Sequence, residues 1–233
     1  LLRGIGVARI RCIARIVGLG VAWVGLVAVL ALGAAADENT PIYDLLQILV
    51  QDGRLLAIDA ESGNETSARL ELGEKVLWTR ERGRVGIAVT DRRMLGVATI
   101  SGFWQSLVLR RREPPPRSAE LGDRVALLLT PQRVLGFVGR TGNFSEASLG
   151  PHEALLQSAV GANVVVVVTD RHALGLSADR GGFFDIPMLV TERIESLTAF
   201  ANHATLQTSK RLLIFRGPTG AWEEQPREVI PAQ

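Results

Sequence analysis

A unit of about 39 residues recurs five times in this chain, and no other feature restricts its fold as much. Gln51, Thr90, Thr130, Thr169 and Thr208 mark equivalent positions, 39, 40, 39 and 39 residues apart. Five residues after each stands a leucine: Leu56, Leu95, Leu135, Leu174 and Leu213. Twelve after each stands a glycine: Gly63, Gly102, Gly142, Gly181 and Gly220. Arg54, Arg93, Arg133, His172 and Arg211 form a third column; Glu65, Trp104, Phe144, Phe183 and Trp222 form a fourth. Glu74, Glu113, Glu153 and Glu192 form a fifth. Agreement over this many columns identifies a repeat architecture, in which each unit buries its apolar faces against its neighbours.

Each unit reads as four short strands. A β-branched or leucine-rich run such as Val164 to Val168 precedes the marker, and two turn residues follow it. Asp52-Gly53 is the most favourable of these pairs, because a two-residue hairpin turn places both central residues at positive φ. The second arm ends at the glycine column, where a residue without Cβ permits the next reversal. The aromatic column opens a third strand, and a fourth starts near the glutamate column. Helix-period stretches are absent after residue 41. Four-stranded units repeated about an axis predict an all-β, five-bladed β-propeller over residues 43–233. Strand Tyr43 to Gln51 starts within a unit, and Glu228-Val229-Ile230 is expected to complete its blade, closing the ring and pairing every edge.

Residues 16–36, IVGLGVAWVGLVAVLALGAAA, carry no charge; Arg3, Arg9, Arg11 and Arg15 precede them, and Asp37 and Glu38 follow. The length suits a transmembrane helix, whereas Ala34-Ala35-Ala36 suits cleavage of a signal peptide. Either reading, with residues 37–42 as a linker, predicts a periplasmic or secreted domain, released or held at the inner membrane, because arginines stay inside. Four of the 26 basic residues lie in this segment, so the remaining 22 face 24 acids. No basic face survives for nucleic acid. Cys12, the single cysteine, also lies here, so the repeats have no disulfide and no thiolate chemistry.

The stretch Gln51-Asp52-Gly53-Arg54-Leu55-Leu56-Ala57-Ile58-Asp59-Ala60-Glu61-Ser62-Gly63 resembles the pyrroloquinoline-quinone (PQQ)-type propeller repeat. The other four units keep its turn, leucine and glycine only. The resemblance implies a propeller of that general kind, as in WD-like and periplasmic scaffold proteins, without the quinone or calcium.

Two features are candidates for function. A ring would bring Glu74, Glu113, Glu153 and Glu192 to one height, where carboxylates could bind a cation or ligand, or serve a polysaccharide-active enzyme. Repetition favours the alternative, ion pairs between the glutamate and arginine columns, because a catalytic site needs residues of different roles. The second feature is Arg110-Arg111-Arg112-Glu113-Pro114-Pro115-Pro116-Arg117. Its prolines cannot join a ladder, so the stretch leaves the sheet and offers Arg110, Arg111, Arg112 and Arg117 to a partner. His152, His172 and His203 occupy different columns, so no metal triad is expected, and no nucleophile motif occurs. The aromatic column reads as interface packing. A binding or scaffold module for protein or glycan is the leading expectation; an enzyme acting through axial carboxylates and a purely structural repeat are the alternatives.

Overall fold

A computed structural model describes residues 43–227. The expected N-terminal apolar segment and the strand expected at Glu228 to Ile230 lie outside the described residues. Nineteen strands form five consecutive antiparallel sheets. The first holds β1 (Leu46–Gln51), β2 (Arg54–Asp59) and β3 (Glu65–Arg69). The second holds β4 (Val76–Arg82), β5 (Val85–Thr90), β6 (Arg93–Ala98) and β7 (Trp104–Val108). The third holds β8 (Ala119–Leu121), β9 (Val125–Leu129), β10 (Arg133–Val138) and β11 (Asn143–Ser148). The fourth holds β12 (Leu155–Val160), β13 (Val164–Thr169), β14 (His172–Ser177) and β15 (Phe183–Pro187); the fifth holds β16 (Ile194–Ala199), β17 (His203–Thr208), β18 (Arg211–Arg216) and β19 (Ala221–Pro226). Each strand pairs with the next in sequence, and a crossover carries the chain from the last strand of one sheet to the first of the next.

The hairpin turns after the marker column differ from expectation in four of five units. Only Asp52-Gly53 has both central residues at positive φ, 49° and 70°. Where the marker is threonine, its hydroxyl shapes the turn instead: Thr90 Oγ1 accepts from the N–H of Arg92 and Arg93 at 3.1 and 2.9 Å, and Thr208 Oγ1 from Lys210 and Arg211 at 3.2 and 3.0 Å. A hydroxyl holding two amides makes positive φ unnecessary. Gln51 has no such hydroxyl, so the first unit relies on Asp-Gly. The twelfth-residue glycines all adopt positive φ, between 66° and 72°, as the reversal requires.

Middle strands are buried on both faces, which is why β13 is five consecutive valines closed by a threonine. Four apolar clusters fill the four interfaces between consecutive sheets. At three of them the neighbouring sheet's Phe137, Leu176 or Phe215 sits against the Cα of Gly96, Gly136 or Gly175. Among the described residues no cluster joins the fifth sheet to the first. The first and fifth sheets bury one face only, as the alternating burial along β1 and β17 records. The fifth sheet's remaining face carries His203, Thr205 and Gln207 in columns that hold Leu, Ile or Val in earlier units, and Ile214 where the middle units hold glycine. The five repeated sheets of the expected propeller are thus present, with four packed interfaces.

Candidate functional site

The crossovers are built alike. In each, the glutamate of the column closes a turn: its N–H bonds to the carbonyl three residues back, and its carboxylate accepts that residue's N–H. The residue before it adopts positive φ: Gly73, Arg112, His152 and Thr191 at 76°, 65°, 62° and 66°. The carboxylate then receives the arginine of the following sheet. Glu113 takes Arg133 Nε and Nη2 at 2.8 and 2.7 Å, the Thr130 hydroxyl at 2.8 Å and the Arg110 amide at 2.8 Å. Glu192 is held the same way by Arg211, Thr208 and Leu189, and Glu74 by Arg93 and Glu71. Each arginine also donates back to the preceding sheet: Arg93 to the Arg69 carbonyl at 2.8 Å, Arg133 to Val108 at 3.2 Å and Arg211 to Pro187 at 2.6 Å. One guanidinium therefore ties crossover and two sheets together. Arg133 is 2% exposed and Glu113 6%.

Burial alone would raise these carboxyls. Charge-assisted bonds from arginine, backbone amide and threonine outweigh it, holding Glu74 at about 2 and Glu113 and Glu192 below the usual carboxylate range. A folded value below the unfolded one of 4.5 contributes stability above pH about 4.5 that is lost as the pH falls toward about 2. The urea midpoint is accordingly expected to fall steeply between pH 5 and pH 2, and Glu113→Gln to flatten that slope. A flat midpoint over this range contradicts the assignment.

The second-to-third crossover and the fourth unit break this pattern, and the breaks meet in space. Ten residues, rather than six, separate β7 from β8. Because Pro114 to Pro116 cannot donate, β8 is cut to three residues and its pairing stops at Ala119 opposite Leu128. Leu129 and Thr130 therefore lack a partner on that edge, whereas Val168 and Thr169 face Gln157 and Leu155 in the fourth sheet. Pro131 has no N–H for the bond that Asp91, Asp170 and Ser209 make to Lys75, Ala154 and Arg193. His172 stands in the arginine column; its Nδ1 lies 3.4 Å from Glu153 Oε1, and the side chain carries no fork to reach back to the third sheet. Glu153, held by Thr169 at 2.7 Å and the Gly150 amide at 2.7 Å, is likewise below the usual range, the donors outweighing burial.

Between these breaks lies a cleft of about 460 Å³ bounded by Pro114, Pro115 and Arg117 on one side and by Glu153 and Leu155 on the other, with Leu129 at its wall. Its volume falls within the range of ligand sites, about 300–1,000 Å³. Of the predicted contact residues, Arg110 is paired with Glu146 at 2.9 Å. Arg111, Arg112 and Arg117 are exposed and make no hydrogen bond or ion pair among the described residues. Of the glutamate column only Glu153 borders the cleft. The aromatic column serves the interfaces: Trp104 and Trp222 donate to the Thr66 and Phe184 carbonyls of the preceding sheet, and Phe144 packs on Phe137. Sequence reasoning marked the proline run but missed the cleft; its signal was the coincidence of Pro131 and His172 with that run as departures from their columns. No group of histidine, cysteine or carboxylates suited to a metal occurs among the described residues, and no described helix is long and apolar enough to cross a membrane.

No protein family and no curated protein sequence matches the chain. Solved structures similar to it are β-propeller proteins. Human WBSCR16 is 12% identical, with a TM-score of 0.37, over 70% of this chain and 56% of that one. Prp20p from Saccharomyces cerevisiae, described with its binding properties to Gsp1p and histones, is 12% identical with a TM-score of 0.36, over 72% and 56%. The N-terminal domain of Nup159 is 11% identical with a TM-score of 0.31, over 82% and 63%. The chain spans just over half the length of the first of these.

Proposed function

We propose that this chain is an extracytoplasmic protein-binding module that presents the Arg110–Arg117 crossover and its adjoining cleft to a partner. The observation that carries the reading is the set of three unpaired guanidiniums, Arg111, Arg112 and Arg117, on the one crossover that departs from the repeat. The first and fourth crossovers each leave one exposed cationic side chain, Lys75 or Arg193, without a bond, whereas this one leaves three, so it is where a rigid stack offers the most free donors to another molecule. A protein partner is favoured over glycan because the aromatic column, which could stack on sugar rings, packs between sheets. The address outside the cytoplasm rests on the uncharged run of residues 16–36 behind four arginines.

The test is site-specific photocrosslinking of the full chain in its own cell. A benzophenone amino acid at Arg111 or Arg117 is expected to trap a discrete protein adduct. The same probe at Leu72, the equivalent and 98% exposed position of the first crossover, is expected to trap none. Equal adducts at all three positions, or none at Arg111 and Arg117, overturn the reading.

A further inference from the structure

Resting on that reading, we infer that the cleft between the third and fourth sheets receives an extended segment of the partner, with one branched apolar side chain inserted and carboxylates on either side of it. Three observations converge. The cleft wall is apolar: Leu129, Leu149 and Leu155 line it, and Leu155 is 41% exposed with nothing covering it. An aliphatic side chain buried there would remove its own surface and that of Leu155 from water together. Cations stand on its crossover side: Arg117 borders the opening, and Arg111 and Arg112 lie in the same crossover, all three without a carboxylate of their own. The two acidic groups at the cleft are already engaged, Glu153 as described and Glu120 by the Ser158 hydroxyl at 3.0 Å. Finally, the wall ends in a strand edge. Thr130 N–H is bonded to Arg133 within the sheet, so the alternation of an antiparallel ladder turns the N–H and C=O of Leu129 toward the cleft. β8 stops short of them. An extended backbone laid along this edge can take the place of the missing part of β8, which gives the ligand its direction and leaves alternate side chains pointing into the cleft and along its arginine side.

A random nonapeptide library displayed on phage and selected on the purified chain tests this. Enriched peptides are expected to share one leucine, isoleucine or valine with aspartate or glutamate on both sides. A synthetic peptide of that consensus should bind, and its affinity should fall with salt. Leu155→Ser and Arg117→Glu should each weaken it tenfold or more. Ser118→Trp, which fills the cleft from the crossover side, should act like Leu155→Ser. Thermal melts of the three variants should match the parent, because all three sites are exposed at the surface. Failure to enrich any consensus, a consensus without acids, binding that survives both Leu155→Ser and Ser118→Trp, or competition by free glutamate or anionic phospholipid vesicles at equal carboxylate or phosphate concentration overturns the inference. If crosslinks at Arg111 and Arg117 persist in the cell while any of these occurs, the protein-binding reading stands and only the cleft's ligand is wrong.

Discussion

Replacing Arg133 with methionine is expected to lower the stability of the domain by about 3–5 kcal/mol, because it leaves the Glu113 carboxylate buried without its partner. The Glu113 side chain is 0% exposed, so water cannot substitute for the lost guanidinium. Bonds to the Val108 carbonyl and to Glu146 disappear with it. The double replacement Arg133→Met with Glu113→Leu should recover most of the loss, since apolar groups of similar volume satisfy the same space without a charge. Arg92→Met provides the contrast. Arg92 pairs with Glu71 at 3.1 Å, but both side chains are about half exposed, and such pairs contribute about 0–1 kcal/mol. Equilibrium urea unfolding measures all three. Equal losses for Arg133→Met and Arg92→Met would show that the crossover locks do not hold the sheets together.

Gly175→Ala is expected to cost about 1–3 kcal/mol through overpacking at the interface between the fourth and fifth sheets. A Cβ there would lie 2.5 Å from Cδ2 and Cε2 of Phe215, a ring that is itself fully buried. The interior is close-packed on both sides of the pair, so neither the strand nor the ring can retreat without displacing a further layer. The first interface uses the same two columns differently: Ala57 stands in the glycine column and Val97 in the phenylalanine column, within one cluster. Gly175→Ala should therefore cost less in a Phe215→Val background than in the parent, a coupling that a double-mutant cycle reads directly. Additive losses would mean that the two columns do not meet as described.

The pairing of glycine and phenylalanine shows where sequence reasoning reached its limit. The Leu56, Gly63 and Glu74 columns were legible because each repeats one residue type at one spacing. Gly96, Gly136 and Gly175 read as ordinary strand residues, because their role depends on the ring of another unit, which the order of residues along the chain does not bring near. The same holds for the arginine column. Its recurrence was visible, whereas its reach to Arg69, Val108 and Pro187 of the preceding sheet is a matter of how far one crossover sets two sheets apart.

For the candidate site the proline run alone predicted that the chain leaves its ladder between Arg110 and Arg117. That the departure opens a cleft required two residues distant in sequence, Pro131 and Glu153, to border it together, with His172 behind Glu153. The sequence alone determined the repeat, its strand order and the reversals at the glycine column, since these follow from side-chain alternation and local φ. Only the tertiary structure decided which columns face each other, that four interfaces are packed among the described residues, and that the breaks in the pattern coincide. Packing between sheets depends on volumes and hydrogen-bond reach across the gap, quantities that no single unit contains.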